Sequence, residues 1–276
     1  MPAISNSFTI IRDDDAVPAQ IKGAVIAIGN FDGLHRGHRA VIASALAMAE
    51  NGKRPVLAMT FEPHPRAFFQ PQVPMFRLSS PHDKLRLMAA SGLNGAVVMN
   101  FNAARAATSA DDFIHRDLIA RLAPSGIVIG FDFHFGKGRA GTPAMLQDRC
   151  TAAGIAVHIE PLYDWQGHPV SSSEVRKALS EGELAHANDL LGYPYFVSGS
   201  VIHGEKRGRA LGYPTANMGV EGLHLPKLGV YAIKVDVLTG PHRGSYGGAA
   251  SLGVRPMFGQ NLPNLESYLF DFDGDL

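Results

Sequence analysis

Between residues 24 and 182 the chain alternates short apolar runs with amphipathic stretches. The run AVIAIGN (24–30) is continuously apolar, as a strand buried on both faces of a parallel sheet would be. HRAVIASALAMAENG (38–52) follows with helical spacing and a glycine stop. The unit then repeats. PVLAMTF (55–61) predicts a strand, and residues 80–92 predict a helix with Ser80 as cap, Pro81 in the first turn and Gly92 beyond the end. GAVVMNF (95–101), a helix over 109–122 capped by Ser109, GIVIGFDF (126–133), a helix over 142–154 and IAVHIEP (155–161) bring the total to five strands. Such alternation predicts an α/β, Rossmann-like parallel sheet covered on both faces, with ligands at the carboxyl ends of its strands.

After the helical pieces SSSEVRKALSEG (171–182) and ELAHANDLLG (183–192) the helical pattern stops. Glycines then interrupt strand-like runs such as GVYAIKVDVL, GAASLGV and LESYLFDF, which predicts a small antiparallel β-barrel. The boundary falls between about 183 and 195, and we divide the chain into residues 1–185 and 186–276.

Charge narrows the partners. The 25 Lys and Arg balance 25 Asp and Glu, so no net field favours capture by nucleic acid or an anionic membrane. With one cysteine, Cys150, no internal disulfide can form, which points to a reducing compartment. The N-terminus is acidic without an apolar targeting core, and no long uncharged apolar run follows. We therefore expect a cytoplasmic protein, a monomer, whose partners are small molecules.

The first candidate site is the segment GNFDGLHRGH between the first predicted strand and helix. His35 and His38 are spaced i and i+3, so at the start of a helix both imidazoles share a face at its positive end. Gly33 and Gly37 would let the backbone approach a phosphate, and Asn30 and Asp32 lie on the turn at the carboxyl end of the strand. A phosphate monoester attacking the α-phosphate of ATP is already an anion at neutral pH and needs no general base. It needs donors that hold the α-phosphate and neutralise developing charge, and imidazole N–H groups, a helix N-terminus and an arginine supply them. SSSEVRKAL offers that arginine: Ser171 and Glu174 fit a capping box, with Ser172, Ser173 and Arg176 on the first turn.

In order and spacing, GNFDGLHRGH, TFEPHP, GFDFHFGKGRAGT and SSSEVRKAL resemble the adenylyltransferase module of bacterial bifunctional riboflavin kinase/FAD synthetases, and the resemblance covers essentially the whole chain. It implies catalytic roles for His35, His38 and Arg176, and ATP contacts at Asn30, Gly33, Gly37, Ser172 and Ser173. It implies flavin contacts at Pro63, His64, Pro65, Asp132 and Phe135. GKGRAG (136–141) spells a dinucleotide-binding motif, but Thr142 and Pro143 start the following helix only after the third glycine, so pyrophosphate binding at that helix is not expected.

The second site is HGEKRGRALGYPTANM (203–218), a basic glycine loop joined to Pro214, Thr215 and Asn217; no Walker-type loop occurs in the chain. The resemblance to the riboflavin kinase module implies nucleotide contacts at Lys206, Gly208, Pro214, Thr215 and Asn217, with Mg²⁺ held by Thr215 and Asn217. Riboflavin's primary alcohol must lose a proton, so a base is expected. Period-two alternation puts Glu266 on one face with Tyr268, Phe270 and Phe272, and Asp271, Asp273 and Asp275 on the other. The catalytic glutamate of the family falls on Glu266. Kinase modules of this kind continue through another strand and a C-terminal helix, so an incomplete kinase module is expected. The implied substrates and products are ATP, riboflavin, FMN and FAD. The alternatives are a nucleotidyltransferase for another phosphorylated small molecule and a flavin-binding regulator without turnover.

Overall fold

A computed structural model describes residues 8–13, 15–202, 214–257 and 260–276. The first part is built from β1 (Thr9–Arg12), β2 (Val25–Ile28), α1 (Arg36–Glu50), β3 (Val56–Glu62), α2 (Pro65–Phe69), α3 (Pro81–Ala90), β4 (Gly95–Asn100) and α4 (Ala103–Ala107). It continues with α5 (Ala110–Asp112), β5 (Gly126–Gly130), α6 (Pro143–Ala152) and β6 (Ala156–Glu160). A small hairpin of β7 (Asp164–Trp165) and β8 (His168–Pro169) then leads into α7 (Ser172–Glu181) and α8 (Leu184–Leu191).

The strands form one six-stranded sheet in the order β1-β4-β3-β2-β5-β6, every pair parallel. Alternate residues of each strand enter two cores. Ile26, Ile28, Leu57, Met59, Ile127 and Ile129 pack on one side with residues of the 110–122 helix and α6, and Val25, Ala27, Val56, Ala58 and Val128 pack on the other with α1 and α3. Burial on both faces explains why these strands read as continuous apolar runs rather than alternating ones. The expected helix over 109–122 is present with Ser109 as its cap, but from Phe113 to Ala120 it widens to π-helical winding. The sheet has one strand more than expected. β1 adds TIIR at the edge and buries Ile11 against β4.

Strand order reverses at β2. The chain runs outward to β3 and β4, then returns to place β5 on the other side of β2. Such a switch point opens a crevice at the carboxyl ends of the central strands.

The second part has β9 (Val201–Ile202), β10 (Ala216–Met218), β11 (Gly229–Val237), β12 (Gly244–Met257) and β13 (Gln260–Leu269), which form a five-stranded antiparallel sheet in the order β11-β12-β13-β10-β9. The change from parallel helix-covered strands to antiparallel strands matches the expected fold classes. One expectation fails here. β13 ends at Leu269, and Asp271 takes a left-handed φ of 52°, so Asp271, Asp273 and Asp275 do not form one face of a strand. The N–H of Phe270 still reaches the Gly247 carbonyl at 2.8 Å, and there the ladder stops.

The pairing of β1 sets a sharp test. A Cβ at Gly95 would lie 2.3 Å from the Thr9 carbonyl oxygen, a distance no side chain tolerates. Gly95→Ala is expected to push β1 from the sheet edge and cost about 1–3 kcal/mol in urea unfolding; an unchanged midpoint would contradict this pairing.

Candidate active site

The crevice at the switch point is a cavity of about 990 Å³. After β2 the chain turns sharply: Phe31 adopts φ 52°, and a single helical turn over Asp32–Leu34 leads to His35, the cap of α1. The His35 Nδ1 accepts the His38 backbone N–H at 3.3 Å. That bond makes Nδ1 the acceptor, so the proton of neutral His35 sits on Nε2. The two imidazoles stack with centroids 3.7 Å apart and planes 18° apart, and the buried Phe31 meets His38 at 5.3 Å, edge to face. A third imidazole joins them after β3. His64 caps α2, its Nδ1 accepting the Arg66 N–H at 3.1 Å, which again leaves the proton on Nε2.

All three rings are held neutral. Burial, with the Arg176 charge adding to it, pushes the His35 pKa down to about 3. Burial and then the Lys84 charge push His64 down to about 3. His38 is pushed well below its ordinary range by burial first, then by His35 and Lys84. Within the described residues the buried Nδ1 of His38 has no hydrogen-bond partner. A buried polar atom left open in this way is suited to a ligand.

Positive charge comes from elsewhere. The Arg176 guanidinium on α7 is ion-paired with the buried Asp32, donates from Nε to the Phe76 carbonyl at 3.0 Å and from one terminal nitrogen to the Ser172 carbonyl at 3.2 Å. The Asp32 carboxylate also accepts the N–H groups of Leu78 at 3.0 Å and Ser79 at 3.2 Å. Beneath the histidines lies Lys84, 3% exposed, which donates to the Asn30 carbonyl at 3.2 Å and pairs with Glu62 at 2.5 Å. Glu62 pairs in turn with Arg77 at 2.8 Å.

Two helix N-termini meet at this cavity. Gly37 and His38 come from the first turn of α1, and Ser172 and Ser173 from the first turn of α7, where Ser171 accepts the Glu174 N–H at 3.2 Å. Their partial positive charges converge on one volume. Of the expected first-site residues, Asn30, His35, Gly37, His38, His64, Pro65, Asp132, Phe135, Ser172, Ser173 and Arg176 line the cavity.

Gly33 and Pro63 do not. Gly33 has φ 74°, gives its N–H to Ser79 Oγ at 3.1 Å, and leaves only 2.8 Å between a built Cβ and Leu78. Its smallness is required by that packing. Pro63 links β3 to His64 and stays off the cavity wall. The glycine-rich decoy is a tight turn: Gly136 and Gly138 take positive φ, Gly141 pairs with Phe135, and α6 starts later at Pro143 with Thr142 as its cap.

Asp32, Glu62 and Lys84 were not among the expected site residues. Their partners lie far along the chain, 144 positions in the case of Asp32 and Arg176, and only the acidic residue in the turn GNFDGLHRGH hinted at a role.

In the second part Lys206 and Gly208 lie outside the described residues. Pro214 is exposed, Thr215 half-buried and Asn217 buried. Asn217 stands directly across from Glu266 in the β10–β13 ladder, and Asn264 Nδ2 donates to Glu266 Oε1 at 2.9 Å. Glu266 has Ser251 as its neighbour on the other side. The surroundings of Glu266 are therefore more polar than the expected aromatic face; only Tyr268 continues that face within the strand. Hydroxyl, amide and carboxylate oxygens of this kind suit a hard cation such as Mg²⁺, which takes few protein ligands and completes its shell with phosphate.

The buried imidazoles predict an acid response. Unfolded histidines take up protons below about 6.5. His35 and His64 resist protonation down to about 3, so the unfolded state binds more protons and stability falls as pH drops through that window. The urea midpoint is expected to fall between pH 7 and pH 4.5, and His64→Gln to flatten that fall; an equal slope in the variant would contradict a neutral His64.

Comparison with known proteins follows the same division. The FAD synthetase family model matches residues 17–174 and the riboflavin kinase family model residues 191–276. A bifunctional riboflavin kinase/FMN adenylyltransferase of Pseudomonas fluorescens is 37% identical over 256 residues, covering 92% of this chain and 81% of that protein. The Bacillus subtilis enzyme of the same description is 36% identical, covering 92% and 80%. Among solved structures, a Streptococcus pneumoniae protein described as a macrolide-efflux protein superposes with a TM-score of 0.84 at 29% identity, covering 96% of this chain and 86% of that one.

Proposed function

Since this chain belongs to the bifunctional riboflavin kinase/FMN adenylyltransferase family, we propose that it makes FMN and ADP from riboflavin and ATP in residues 186–276, and FAD and pyrophosphate from FMN and ATP in residues 1–185. The observation that carries the first site is the meeting of His35, His38, His64 and Arg176 with the N-termini of α1 and α7 around one cavity.

In adenylyl transfer the FMN phosphate, already an anion, attacks the α-phosphorus of ATP. The new bond joins that phosphorus to the flavin phosphate oxygen. The bond to the oxygen bridging α and β breaks, and pyrophosphate leaves with the electron pair. The Nε2–H of His35 and an N–H of His38 donate to the α-phosphate oxygens, and Arg176 offsets the charge that grows as the bonds exchange. Neutral imidazoles suit this role, because their protons are fixed donors that never have to be surrendered. Ser172 and Ser173, with Asn30 and Gly37, hold the rest of the nucleotide phosphates. His64, Pro65, Asp132 and Phe135 form the flavin side. For Gly33 and Pro63 the geometry favours a part in packing and chain direction.

In the second site Glu266 takes the proton from the riboflavin alcohol as the alcohol oxygen bonds to the γ-phosphorus; the bond from that phosphorus to the oxygen bridging β and γ breaks, and ADP leaves with the electron pair. Thr215 and Asn217 would hold Mg²⁺, which would neutralise charge on the nucleotide phosphates. Lys206, Gly208 and Pro214 complete the nucleotide site on the strength of the sequence resemblance. Among the described residues no helix is long and apolar enough to cross a membrane; a cytoplasmic monomer that handles small molecules rather than nucleic acid completes the reading.

The experiment is incubation of the purified chain with ATP and either FMN or riboflavin, following FAD, FMN and pyrophosphate. His38→Ala is expected to slow FAD formation by about 10²–10³ with FMN binding largely kept, while Glu266→Gln stops FMN formation and spares FAD formation from supplied FMN. FAD formed from FMN by His38→Ala at the original rate, or both reactions lost together in Glu266→Gln, would overturn the assignment. Pyrophosphate released only with some other phosphorylated acceptor would replace flavin as the substrate class.

A further inference from the structure

The cavity described above belongs to the first part of the chain, but the two elements that hold its Arg176, the segment 76–79 and helix α7, are tied to the second. Residues 76–79 form a strap in which Arg77 bonds to the second domain while Phe76, Leu78 and Ser79 bond to Arg176 and Asp32. The Phe76 carbonyl accepts from Arg176. The Arg77 N–H donates to the Gly222 carbonyl at 2.8 Å, and the Arg77 carbonyl accepts the His224 N–H at 2.7 Å. The N–H groups of Leu78 and Ser79 then hold the carboxylate of Asp32, the partner of Arg176.

Helix α7 is held from the same loop. The His224 Nε2 lies 2.9 Å from the Arg176 carbonyl and 3.0 Å from Ser180 Oγ. A carbonyl oxygen only accepts, so this nitrogen carries the proton. The Lys227 N–H donates at 2.9 Å to the Leu179 carbonyl in the last turn of the helix, which also accepts the N–H of the capping Gly182 at 3.1 Å. The His224 carbonyl accepts from Tyr195 at 2.5 Å, which fixes the loop from its other side. Arg176 is thus gripped at both ends: its guanidinium by the strap, its backbone by His224.

We propose that His224, a residue of the second domain, is a positioning residue for adenylyl transfer in the first, acting through the backbone of Arg176. The inference rests on the role of Arg176 proposed above. It goes beyond that role by making the charge at the α-phosphate depend on a hydrogen bond from the other domain. A shift of the Arg176 turn by a fraction of an ångström would leave substrate binding, shared among many groups, nearly intact. It would misplace the guanidinium in the transition state, so the loss falls on kcat rather than KM.

The test compares the full chain with His224→Ala and His224→Gln, measuring kcat and KM for FMN in FAD formation together with the thermal midpoint. Glutamine keeps an N–H donor and alanine does not. Expected are a kcat lower by about tenfold or more in His224→Ala with KM for FMN within about twofold, and recovery of most of the rate in His224→Gln. Two results would overturn the proposal: both variants at the original kcat, or both equally impaired, whether by slowed turnover or by loss of the folded state. Absence of FAD formation by the original chain would instead sink the proposed function itself.

Discussion

The buried carboxylate of Asp32 is the point on which the site turns. It is 3% exposed and is satisfied by two backbone N–H groups and the Arg176 guanidinium. A charge so buried persists only when paired and hydrogen-bonded, so each of its partners is constrained in turn. The turn after β2, the strap at 76–79 and helix α7 come from three distant stretches of sequence and meet at this group, with the Gly33–Ser79 and Arg176–Phe76 hydrogen bonds beside it. Arg176 is thereby delivered beside His35 and His38, and sets a positive charge next to these neutral donors.

That arrangement explains the charge state of the site. With Arg176 and the buried Lys84 nearby, protonated imidazoles would be doubly penalised, by lost hydration and by repulsion. The histidines stay neutral, and His35 and His64 each keep a ring N–H on Nε2 while lining the cavity. Cation and donors are divided between different residue types. This suits a reaction in which the nucleophile arrives already charged and no proton has to move. The second site needs the opposite, a group able to take a proton from an alcohol, and there the sheet register brings Glu266 opposite Asn217.

How much was readable beforehand depended on distance along the chain. The stacked pair at His35 and His38, the caps at Ser80, Ser109 and Ser171, and the parallel strands all arise within short windows, and spacing alone revealed them. Strand β1 was missed because TIIR is too short and too close to acidic residues to show a pattern, and its partner β4 lies more than eighty positions away. The packing of Gly33 against Leu78 could not be read beforehand, since that contact is made only on folding. The strap 76–79 has neither helical nor strand period, so nothing local marked it as the bracket for Asp32. At the other end, alternation after Leu269 continued in the sequence but not in space, since the left-handed turn at Asp271 breaks the ladder.

If Asp32 acts chiefly by holding Arg176, the two residues must behave as a unit. The direct measurement is a double-mutant cycle on FAD formation with Asp32→Asn, Arg176→Ala and the pair combined. Each single change is expected to lower the rate by about tenfold or more, and the double variant to be no slower than Arg176→Ala alone. An unaffected Asp32→Asn enzyme, or losses that multiply in the double variant, would contradict the account.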